Sequence, residues 1–559
     1  MKVRTITTAA AATALGVNEM TIRRWAASGR LRARKLGKSW AIDAAQVEML
    51  KAKPMGASRR PLELLRAARK VLRQRRRSEW LPDALHYFDV QSELELLIAP
   101  VRRRRDTRDF EGRALEHIAV PKSALAYRPG AFMRLDDEIL YTALVLAAGP
   151  EVERALGKNV FSYRMAHLND PELLQDQGQA WGRFQTAQRE ARTRGWEYAL
   201  AADVAGFYEY VMDVVLFETL ETLGVPAEVT DGLRGLIKGW HKKSGLRGLP
   251  QGPDASAVLA NAFLVPVDDE VASVAAARGW EYIRWSDDIR VFTNSEDEAR
   301  MAAFVVSGAM RRRGLYLAPA KTRVVTVKAL AKDTVAPGLE RVAYLFDLKR
   351  FDKVRSEIGP IFRRATDNGR RLREDRLTEL RFCLYRLGRT RDDRALNLVL
   401  RSLKECGFLG AFVYLYLREF ADRKRVLDRI ATALPELDPQ RDVLLIGQLV
   451  RVLAEAKSVP LGSLNELRRL AWSSPIADAA RAVAVRALGR HGGIPDVAEL
   501  RRRLWREADS RVLRAILVAL KDLNAPGTRT ILGDFKTANR EFAVVVDYLN
   551  SQGAPNPRS

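Results

Sequence analysis

Cysteine and histidine are scarce in this sequence, with two cysteines and five histidines among 559 residues. Ligands so few and so scattered do not form a zinc site of the usual spacing. Two cysteines also favour a reducing cytoplasm over a disulfide scaffold. Because no apolar run reaches about 18 residues, we expect no membrane-spanning helix. The first residues lack the apolar segment of a signal peptide, so we expect a cytoplasmic protein.

Negative charge is scarce as well. Lys and Arg number 94 against 69 Asp and Glu, which gives a formal net charge of +25. Such a charge repels itself in a compact chain unless a polyanion binds it, so nucleic acid is the expected partner. An anionic membrane surface is second, and without an apolar span we expect no membrane partner. The hydrophobic content of 47% supports a sizeable folded core.

Composition and periodicity divide the chain into five segments. We predict a helix-turn-helix domain at 1–50, a basic linker at 51–79, a region of mixed strands and helices at 80–345, a helical region at 346–550 and a tail at 551–559. Segments 481–490 and 514–523 share a pattern at a spacing of 33 residues. That period favours HEAT-like helical repeats over an irregular bundle. The fold class is therefore multidomain α+β with an all-α C-terminal region.

Residues 5–50 contain two short helical patterns, separated by a break at 16–18, and then a basic segment at 29–42. The pattern resembles the excisionase and MerR-like winged helix-turn-helix family, in which the second helix enters a groove of DNA. That resemblance implies nucleic-acid contacts from Arg23 and Arg24 on the reading helix, and from Arg34 and Lys35 on the wing. The alternative is a helical docking module that touches no DNA.

Two adjacent carboxylates interrupt the segment YIRWSDDIRVF, residues 282–292. We interpret the flanking runs as a hairpin that projects Asp287 and Asp288 from one end of a sheet. Asp203 follows another apolar run at 198–202, and only the fold brings it to the pair. Such a cluster is costly unless cations neutralise it, which predicts two Mg²⁺ ions, or Mn²⁺, serving phosphoryl transfer. Taken alone, however, an Asp pair also suits an ordinary turn.

Further motifs strengthen the interpretation of Asp287 and Asp288 as metal-binding carboxylates. The paired aromatics at 207–208 follow Asp203, a Leu-Pro-Gln-Gly turn lies at 249–252, the hairpin comes next, and GLYLAPAKTRV occupies 314–324. In this order, and together with segments 120–145 and 161–165, they resemble the reverse transcriptase family over about 80–345. The resemblance implies a right-hand fingers and palm core with an antiparallel palm sheet. It also implies an RNA-directed DNA polymerase, a nucleotidyltransferase that takes deoxynucleoside triphosphates, an RNA template and a DNA product.

The same resemblance implies roles residue by residue. The catalytic carboxylates are Asp203, Asp287 and Asp288, and Val204 joins them as a metal ligand. The residues implied in nucleotide binding are Lys122, Arg128, Tyr208, Gln251 and Lys321. Trp285 and Ser286 would contact primer and template, although they replace the usual tyrosine and alanine. Tyr208 would exclude a ribose 2′-hydroxyl.

Three of these roles have plain structural alternatives. Tyr208 has the less favoured alternative of a plain core aromatic, and Lys321 that of a plain surface lysine. Arg128 has the option of pairing with Asp136 or Asp137.

Among reverse transcriptases, the chain lacks the acidic pattern of a ribonuclease H domain, a cysteine-rich endonuclease and the Val-Thr-Gly triplet of retrons. It most resembles the bacterial defence-associated, abortive-infection enzymes with a HEAT-like C-terminus. That branch implies templated or template-independent synthesis, and leaves room for an associated non-coding RNA or protein. Tyr414 and Tyr416 would then be primer hydroxyls or, as the commoner alternative, core aromatics. The alternative functions are a mobile-element enzyme targeted by its helix-turn-helix and a non-catalytic nucleic-acid-binding regulator.

Overall fold

A computed structural model describes residues 5–15, 19, 22–23, 26, 31, 33–36, 39–45, 47, 62–78, 80–91, 93–334, 338–472 and 475–552. The chain divides into two units, Met1–Pro61 and Leu62–Ser559. Within the described ranges, none of the helices combines the length and apolarity needed to cross a bilayer. The two cysteines, Cys383 and Cys406, are buried free thiols.

The N-terminal unit is a small sheet beside a helix. Its described elements are β1 Thr5–Thr7, α1 Thr8–Leu15, β2 Ala33–Leu36 and β3 Ser39–Asp43. The strands pair antiparallel in the order β1-β3-β2, so the predicted wing is the β2–β3 hairpin. Its core consists of apolar side chains from several segments of the unit, among them Ala11, Ile22 and Ile42.

The second unit begins with helices that the sequence assigned in part to a linker. They are α2 Leu64–Ser78, α3 Phe88–Gln91 and α4 Leu94–Asp106. The linker prediction therefore needs correcting for 64–78. In α2, the residues Leu64, Ala67, Ala68 and Val71 recur at helical spacing and are buried in the core of this unit. The dense charge concealed that apolar stripe, although a stripe of this kind is what fixes a helix to a core.

The fingers hairpin consists of β4 Glu116–Pro121 and β5 Tyr127–Phe132, which pair antiparallel. Two helices follow it, α5 Leu135–Ala155 and α6 Gln177–Glu190. Helix α5 is buried along most of its length. It carries Asp137, whose charge is neutralised by the buried Arg104 guanidinium at 2.5 Å. The hairpin is thus connected to a helix that anchors it in the core.

The palm sheet has the strand order β7-β8-β6-β9 and is antiparallel throughout. Along β6, Leu200 and Ala202 face one cluster of buried residues, whereas Ala199 and Ala201 face another. This period of two explains why β6 reads as a continuous apolar run. The palm elements are β6 Tyr198–Ala202, α7 Phe207–Tyr210, α8 Asp213–Leu223, α9 Ala227–Ser244, α10 Asp254–Arg278, β7 Glu281–Trp285, β8 Asp288–Thr293, α11 Glu296–Arg312, β9 Arg323–Thr326 and α12 Val327–Thr334.

The helical array follows and begins at Leu339, a few residues before the predicted boundary, because Val342 and Leu345 belong to its core. The two matching segments lie in helices α21 (Asp478–His491) and α23 (Ser510–Leu523). These helices approach so closely that a Cβ at Gly489 would lie 2.5 Å from Ala519 Cα. The array consists of α13 Leu339–Asp347, α14 Phe351–Ala365, α15 Leu377–Arg389, α16 Leu396–Arg401, α17 Ala411–Leu417, α18 Lys424–Ala433, α19 Val443–Glu455, α20 Leu461–Trp472, α21 Asp478–His491, α22 Ile494–Leu504, α23 Ser510–Leu523, α24 Thr528–Ala538 and α25 Ala543–Gln552.

The array packs back onto the fingers side of the core. Leu81, Leu85 and Ile118 share its main cluster of buried side chains. Arg514 on α23 donates hydrogen bonds to Asp83 and Asp89 at 2.7–2.9 Å. Burial alone would raise the pKa of Asp83, but the Arg514 guanidinium holds it at about 2. A buried pair of this kind is strongly destabilising to break, so the array and the segment before the fingers hairpin form one body.

The confirmed part of the prediction is the fold class: an antiparallel palm sheet, an N-terminal unit with a winged hairpin and a mainly helical C-terminal region. Tyr414 and Tyr416 are buried within the array. The Tyr416 hydroxyl donates to the Asp392 carbonyl at 3.0 Å, and the Tyr414 hydroxyl donates to the Glu455 carboxylate. In this arrangement neither hydroxyl is presented as a primer.

Candidate active site

Three carboxylates meet at one end of the palm sheet. The register pairs Ala202 with Ile289, so Asp203, directly after β6, comes to lie beside Asp288 at the start of β8. Strands β7 and β8 are joined by the two-residue loop of Ser286 and Asp287, which places the third carboxylate at the same end. The structure thus brings together residues that are 84 positions apart in sequence, 203 and 287.

Burial and mutual repulsion raise the affinity of this cluster for protons. The pKa of Asp287 rises to about 6, first because the group is buried and then because Asp203 and Asp288 lie near it. Burial and Asp203 also raise the pKa of Asp288, against the opposing effect of Arg290. Raised pKa values at a carboxylate cluster mean that negative charge is under-compensated there. A cation placed between these groups would relieve that repulsion.

Lys321 supplies part of the missing charge. Its ammonium donates to Asp203 Oδ2 at 2.7 Å, and it follows a tight turn whose Ala318 amide donates to the Asp203 carbonyl at 2.7 Å. Val204, the next residue, is buried in a β-bridge with Leu317. The segment that contains Lys321 is therefore aligned with Asp203 by backbone pairing. Lys321 remains about half exposed, at 52% of its side chain.

The three carboxylates fit a pair of hard divalent ions by the chemistry of their oxygen donors. The described residues contain no group of three or more carboxylate, histidine or cysteine side chains arranged to hold a metal ion. Asp203, Asp287 and Asp288 nevertheless share one end of one sheet, and the raised pKa of Asp287 shows that they sense each other. These residues, with the Val204 backbone beside them, are the ones that would hold the ions.

A buried arginine fixes the hairpin from behind. The Arg284 side chain is fully buried and donates to both carboxylate oxygens of Asp268, at 2.7 and 2.6 Å. Its remaining nitrogen donates to the Asn261 side chain at 3.0 Å and to the Ser286 carbonyl at 2.9 Å. The guanidinium thereby connects helix α10 to the residue immediately before Asp287. Its planar fork makes this geometry specific to arginine.

The loop residue Ser286 is held at both backbone groups. Its amide donates to Ser162 Oγ at 2.6 Å, and its carbonyl accepts from Arg284. Ser286 has a φ of +54°, which tight two-residue hairpins require and which costs energy in a residue other than glycine. Two external bonds stabilise this conformation. The Ser286 side chain is buried and does not project as a primer contact.

Trp285 packs sideways into an aromatic cluster. Its ring centroid lies 4.9 Å from that of Trp181, 5.9 Å from Phe184 and 6.2 Å from Tyr163. Tryptophan is larger than the expected tyrosine, and helix α6 supplies the Trp181 and Phe184 rings that pack against it. Trp285 stays half-buried, so part of its face remains accessible at the end of the sheet.

The residues predicted to bind the nucleotide come from different elements, and two of them lie near the carboxylates, Tyr208 beside Asp287 and Lys321 beside Asp203. Tyr208 is half-buried, and burial followed by the proximity of Tyr163 and Asp287 raises its pKa well above 10. The Tyr208 carbonyl accepts from the Leu249 amide at 2.9 Å. Gly248 has a φ of +69°, and a Cβ there would lie 1.9 Å from the Tyr208 carbonyl oxygen, so this turn requires glycine.

The fingers hairpin is joined to the same turn. The Gln251 carbonyl accepts from the Ala131 amide on β5 at 3.1 Å. Arg128 and Lys122 are exposed on the hairpin. The alternative partners of Arg128 are occupied: Asp136 pairs with Arg113, and Asp137 with Arg104. Burial, followed by Asp287 and Asp254, raises the pKa of Tyr163, and Arg128 lies close enough to oppose that rise in part.

Sequence reasoning missed Arg284, Asp268 and Asp254. A charged residue inside the apolar strand YIRW, and another inside the apolar helix α10, were the available signals for the first two. Asp254 directly follows the Pro-Gln-Gly turn, and burial together with Glu138 and Glu172 raises its pKa to about 7. It is thus a third carboxyl group of this region with a raised pKa, after Asp287 and Asp288.

In the N-terminal unit, the predicted contact residues are exposed where they are described. Arg34 and Lys35 lie on β2, and Lys35 sits over the Trp40 ring at 5.9 Å. Arg23 is exposed and pairs with Glu19 at 2.9 Å. Arg24 lies outside the described residues.

Comparisons with known proteins find matches for two segments of the chain. Residues 120–368 match the family described as reverse transcriptase (RNA-dependent DNA polymerase), and residues 5–53 match a helix-turn-helix domain. The match confirms the predicted enzyme class, because the chain carries the domain of RNA-directed DNA polymerases, which are nucleotidyltransferases. No curated protein sequence matches the chain.

Solved structures similar to the chain include two yeast telomerases. One is telomerase from Candida albicans in complex with a TWJ fragment of telomeric RNA, at 12% identity and a TM-score of 0.29, covering 70% of each chain. The other is apo telomerase from Candida tropicalis, at 9% identity and a TM-score of 0.32, covering 82% of this chain and 74% of that one.

Arg284 makes two sets of hydrogen bonds, one to Asp268 and one to Asn261 and Ser286. Variants at this position can therefore separate the stability of the fold from the geometry of the hairpin. Arg284→Met alone leaves the Asp268 carboxylate buried and unpaired, which should destabilise folding by about 3–5 kcal/mol. Adding Asp268→Asn removes that charge and keeps an acceptor for Tyr282. The double variant should therefore recover most of the stability in urea unfolding, while nucleotide incorporation stays at least about tenfold below wild type. Recovery of both would show that Arg284 has no role in positioning Asp287.

Without divalent cations, Asp287 should make stability depend on pH. Its folded pKa of about 6 exceeds the ordinary 3.8, so the folded chain keeps a proton that the unfolded chain has lost. Stability is therefore highest below about pH 4 for this group and falls as the pH rises to about 6. In thermal unfolding with EDTA, Asp287→Asn should gain about 2 kcal/mol relative to wild type between those limits. A pH-independent difference, like that expected for the exposed Asp297→Asn control, would contradict this.

Proposed function

We propose that the chain is a magnesium-dependent DNA polymerase that joins deoxynucleoside triphosphates, directed by an RNA template, at Asp203, Asp287 and Asp288. The strand register that sets Asp203 beside Asp288 is the observation that carries the proposal. Manganese is the alternative ion. When bound, two such ions supply activation of the attacking 3′-hydroxyl and stabilise the leaving pyrophosphate.

The chain's own residues have separable tasks in this proposal. Asp203, Asp287 and the Val204 carbonyl would hold the cationic centre, and Asp288 would assist them. Lys321 neutralises Asp203 in the present arrangement. Its half-exposed ammonium would also meet the phosphates of the incoming nucleotide.

The fingers side supports nucleotide selection. Arg128 and Lys122 are exposed on the hairpin and carry positive charge toward the triphosphate. Gln251 is tied to β5 beside them and would contact the nucleotide or its template base. The half-buried Tyr208 ring lies near Asp287, and by its bulk it would exclude a ribose 2′-hydroxyl. Trp285, with its remaining exposed face, and the Ser286 backbone would border the primer end.

The N-terminal unit extends the proposal to target choice. Its match to a helix-turn-helix domain, with Arg34 and Lys35 exposed on the wing, supports binding to duplex DNA, with Arg23 and Arg24 on the reading helix. Arg34→Gln with Lys35→Gln should weaken duplex binding and make its salt dependence shallower by about two phosphate contacts. Unchanged binding would favour the alternative of a docking module.

The proposed biological setting is phage defence in the cytoplasm, as the sequence resemblance implies, with HEAT-like repeats in the array. The close stacking of α21 on α23 supports the repeats. Phage plating should be compared on cells that express the wild-type chain and on cells that express the Asp287→Asn variant. Equal plating efficiency on both would argue instead for a mobile-element enzyme. An associated RNA or protein would copurify with the full chain.

Primer extension tests the polymerase directly. With Mg²⁺, an RNA template and labelled deoxynucleotides, the wild-type chain should form product, and Asp203→Asn or Asp287→Asn should lower the rate at least about a thousandfold. Asp297→Asn, an exposed carboxylate on α11, is the matched control and should retain full activity. Product without added template would assign untemplated synthesis. No incorporation by the wild type under any of these conditions would favour the nucleic-acid-binding regulator.

A further inference from the structure

The basic helix α2 contains seven cations between Arg66 and Arg77, and the structure divides them into two groups. Three point into the protein. Lys70 is buried and donates to the Asp170 and Glu172 carbonyls. Arg75 pairs with buried Glu138 at 2.6 Å, and Arg76 donates to the His86 and Tyr87 carbonyls. These cations fix the helix by bonds to groups within the protein.

The other four cations form one exposed stripe, which we call the basic stripe: Arg66, Arg69, Arg73 and Arg77. Their spacing of three and four residues sets them on one face of the helix, over about 16 Å. Glu63 pairs with Arg66 at 3.1 Å, and the single carboxylate of Glu172 serves both Arg73 and Arg77. Arg69 has no ionic partner within the described part of the chain. Four guanidinium groups against two carboxylates leave a surplus of positive charge.

A groove of about 500 Å³ runs beside the stripe. Arg66, Arg69 and Arg73 line one side of it, and Leu94 and the partly exposed Leu168 contribute apolar surface. Lys70 and Arg76 also reach the lining, as does the acidic Asp170. This size lies in the range of small-ligand sites. A wall of guanidinium groups beside apolar surface suits phosphates on one side and unstacked bases on the other. A simple inorganic anion would use only the first.

The C-terminal part of α2 meets the active-site cleft. Gln74, which lies between Arg73 and Arg77, donates to the Gly252 carbonyl at 3.1 Å and accepts from the Asp254 amide at 3.2 Å. These residues belong to the Pro-Gln-Gly turn and to the first turn of α10. The stripe therefore leads away from the turn that the proposed function places beside the nucleotide. A strand leaving the cleft at this turn would follow the stripe.

We propose that the basic stripe and its groove bind a single-stranded nucleic acid, the unpaired part of the template strand next to the polymerase site. This inference rests on the proposed function and extends it to a residue set outside the fingers hairpin and palm. The ligand is recognised by its phosphate backbone, so binding is independent of base sequence. Glu172 is displaced from Arg73 and Arg77 when phosphates take its place.

Equilibrium binding in EDTA, with no nucleotide present, tests the stripe without requiring catalysis. The probe is a labelled RNA–DNA duplex with a single-stranded template extension of about six nucleotides, compared with the blunt duplex. The stripe variant replaces Arg66, Arg69, Arg73 and Arg77 by Gln, which keeps helix propensity. The matched control replaces four exposed arginines on other helices by Gln, namely Arg300, Arg311, Arg502 and Arg529.

Wild type and control should bind the extended probe more tightly than the blunt one, on the order of tenfold at about 100 mM salt. The stripe variant should bind both probes alike, and its slope of log affinity against log salt should be shallower by about 3. Arg69→Gln alone, which breaks no ion pair, should remove part of the preference even if the quadruple variant proves unstable. An unchanged preference and slope would overturn the proposal, and so would an equal loss of affinity for both probes. Either result would leave primer extension by the wild type, and hence the proposed polymerase, unaffected.

Discussion

Repulsion between three carboxylates is the constraint on which the centre of this protein depends. Asp203, Asp287 and Asp288 are set at one end of one sheet, where burial and proximity raise the pKa of Asp287 to about 6. Left to themselves, such groups would move apart or take up protons. They stay together because each is attached to a strand whose register is fixed by apolar side chains on both faces. The apolar sheet therefore stores the electrostatic energy that a bound cation would release.

The same constraint explains the polar network behind the hairpin. Ser286 adopts a left-handed conformation, and the bonds from Ser162 and Arg284 stabilise it on both sides. Arg284 brings a positive charge into the core, and Asp268 balances it, so the support adds no net charge behind the carboxylates. A neutral but strongly directional pair is suited to this place, because a lone cation would lower the pKa of Asp287 and weaken its need for a metal.

The site was more predictable from the sequence than its support. Asp203 and the hairpin could be found because each directly follows or interrupts an apolar run, and the run itself indicates a strand. Asp268 and Arg284 were not found because a single charge in an apolar segment gives no sign of its partner until the fold pairs them. The prediction of a basic linker is wrong for helix α2, because its seven cations make the apolar spacing of Leu64, Ala67 and Val71 hard to recognise in the sequence. A high density of charged residues indicates a solvent-facing surface, whereas the spacing of apolar residues indicates which side chains are buried in a core.

The docking of the helical array on the fingers side has a consequence for how the polymerase would work. Arg514 is bonded to Asp83 and Asp89, Arg511 to Glu116 at 2.5 Å, and Ala124 at the hairpin tip to Glu374 at 3.1 Å. The fingers hairpin is therefore held at its base and at its tip by one body. Rotation of the hairpin toward the palm would break the Arg511–Glu116 ion pair at its base and the hydrogen bond at its tip. Under the proposed function, the nucleotide site would therefore be largely preformed, and selection would rest on fixed groups such as Tyr208 rather than on closure of the fingers.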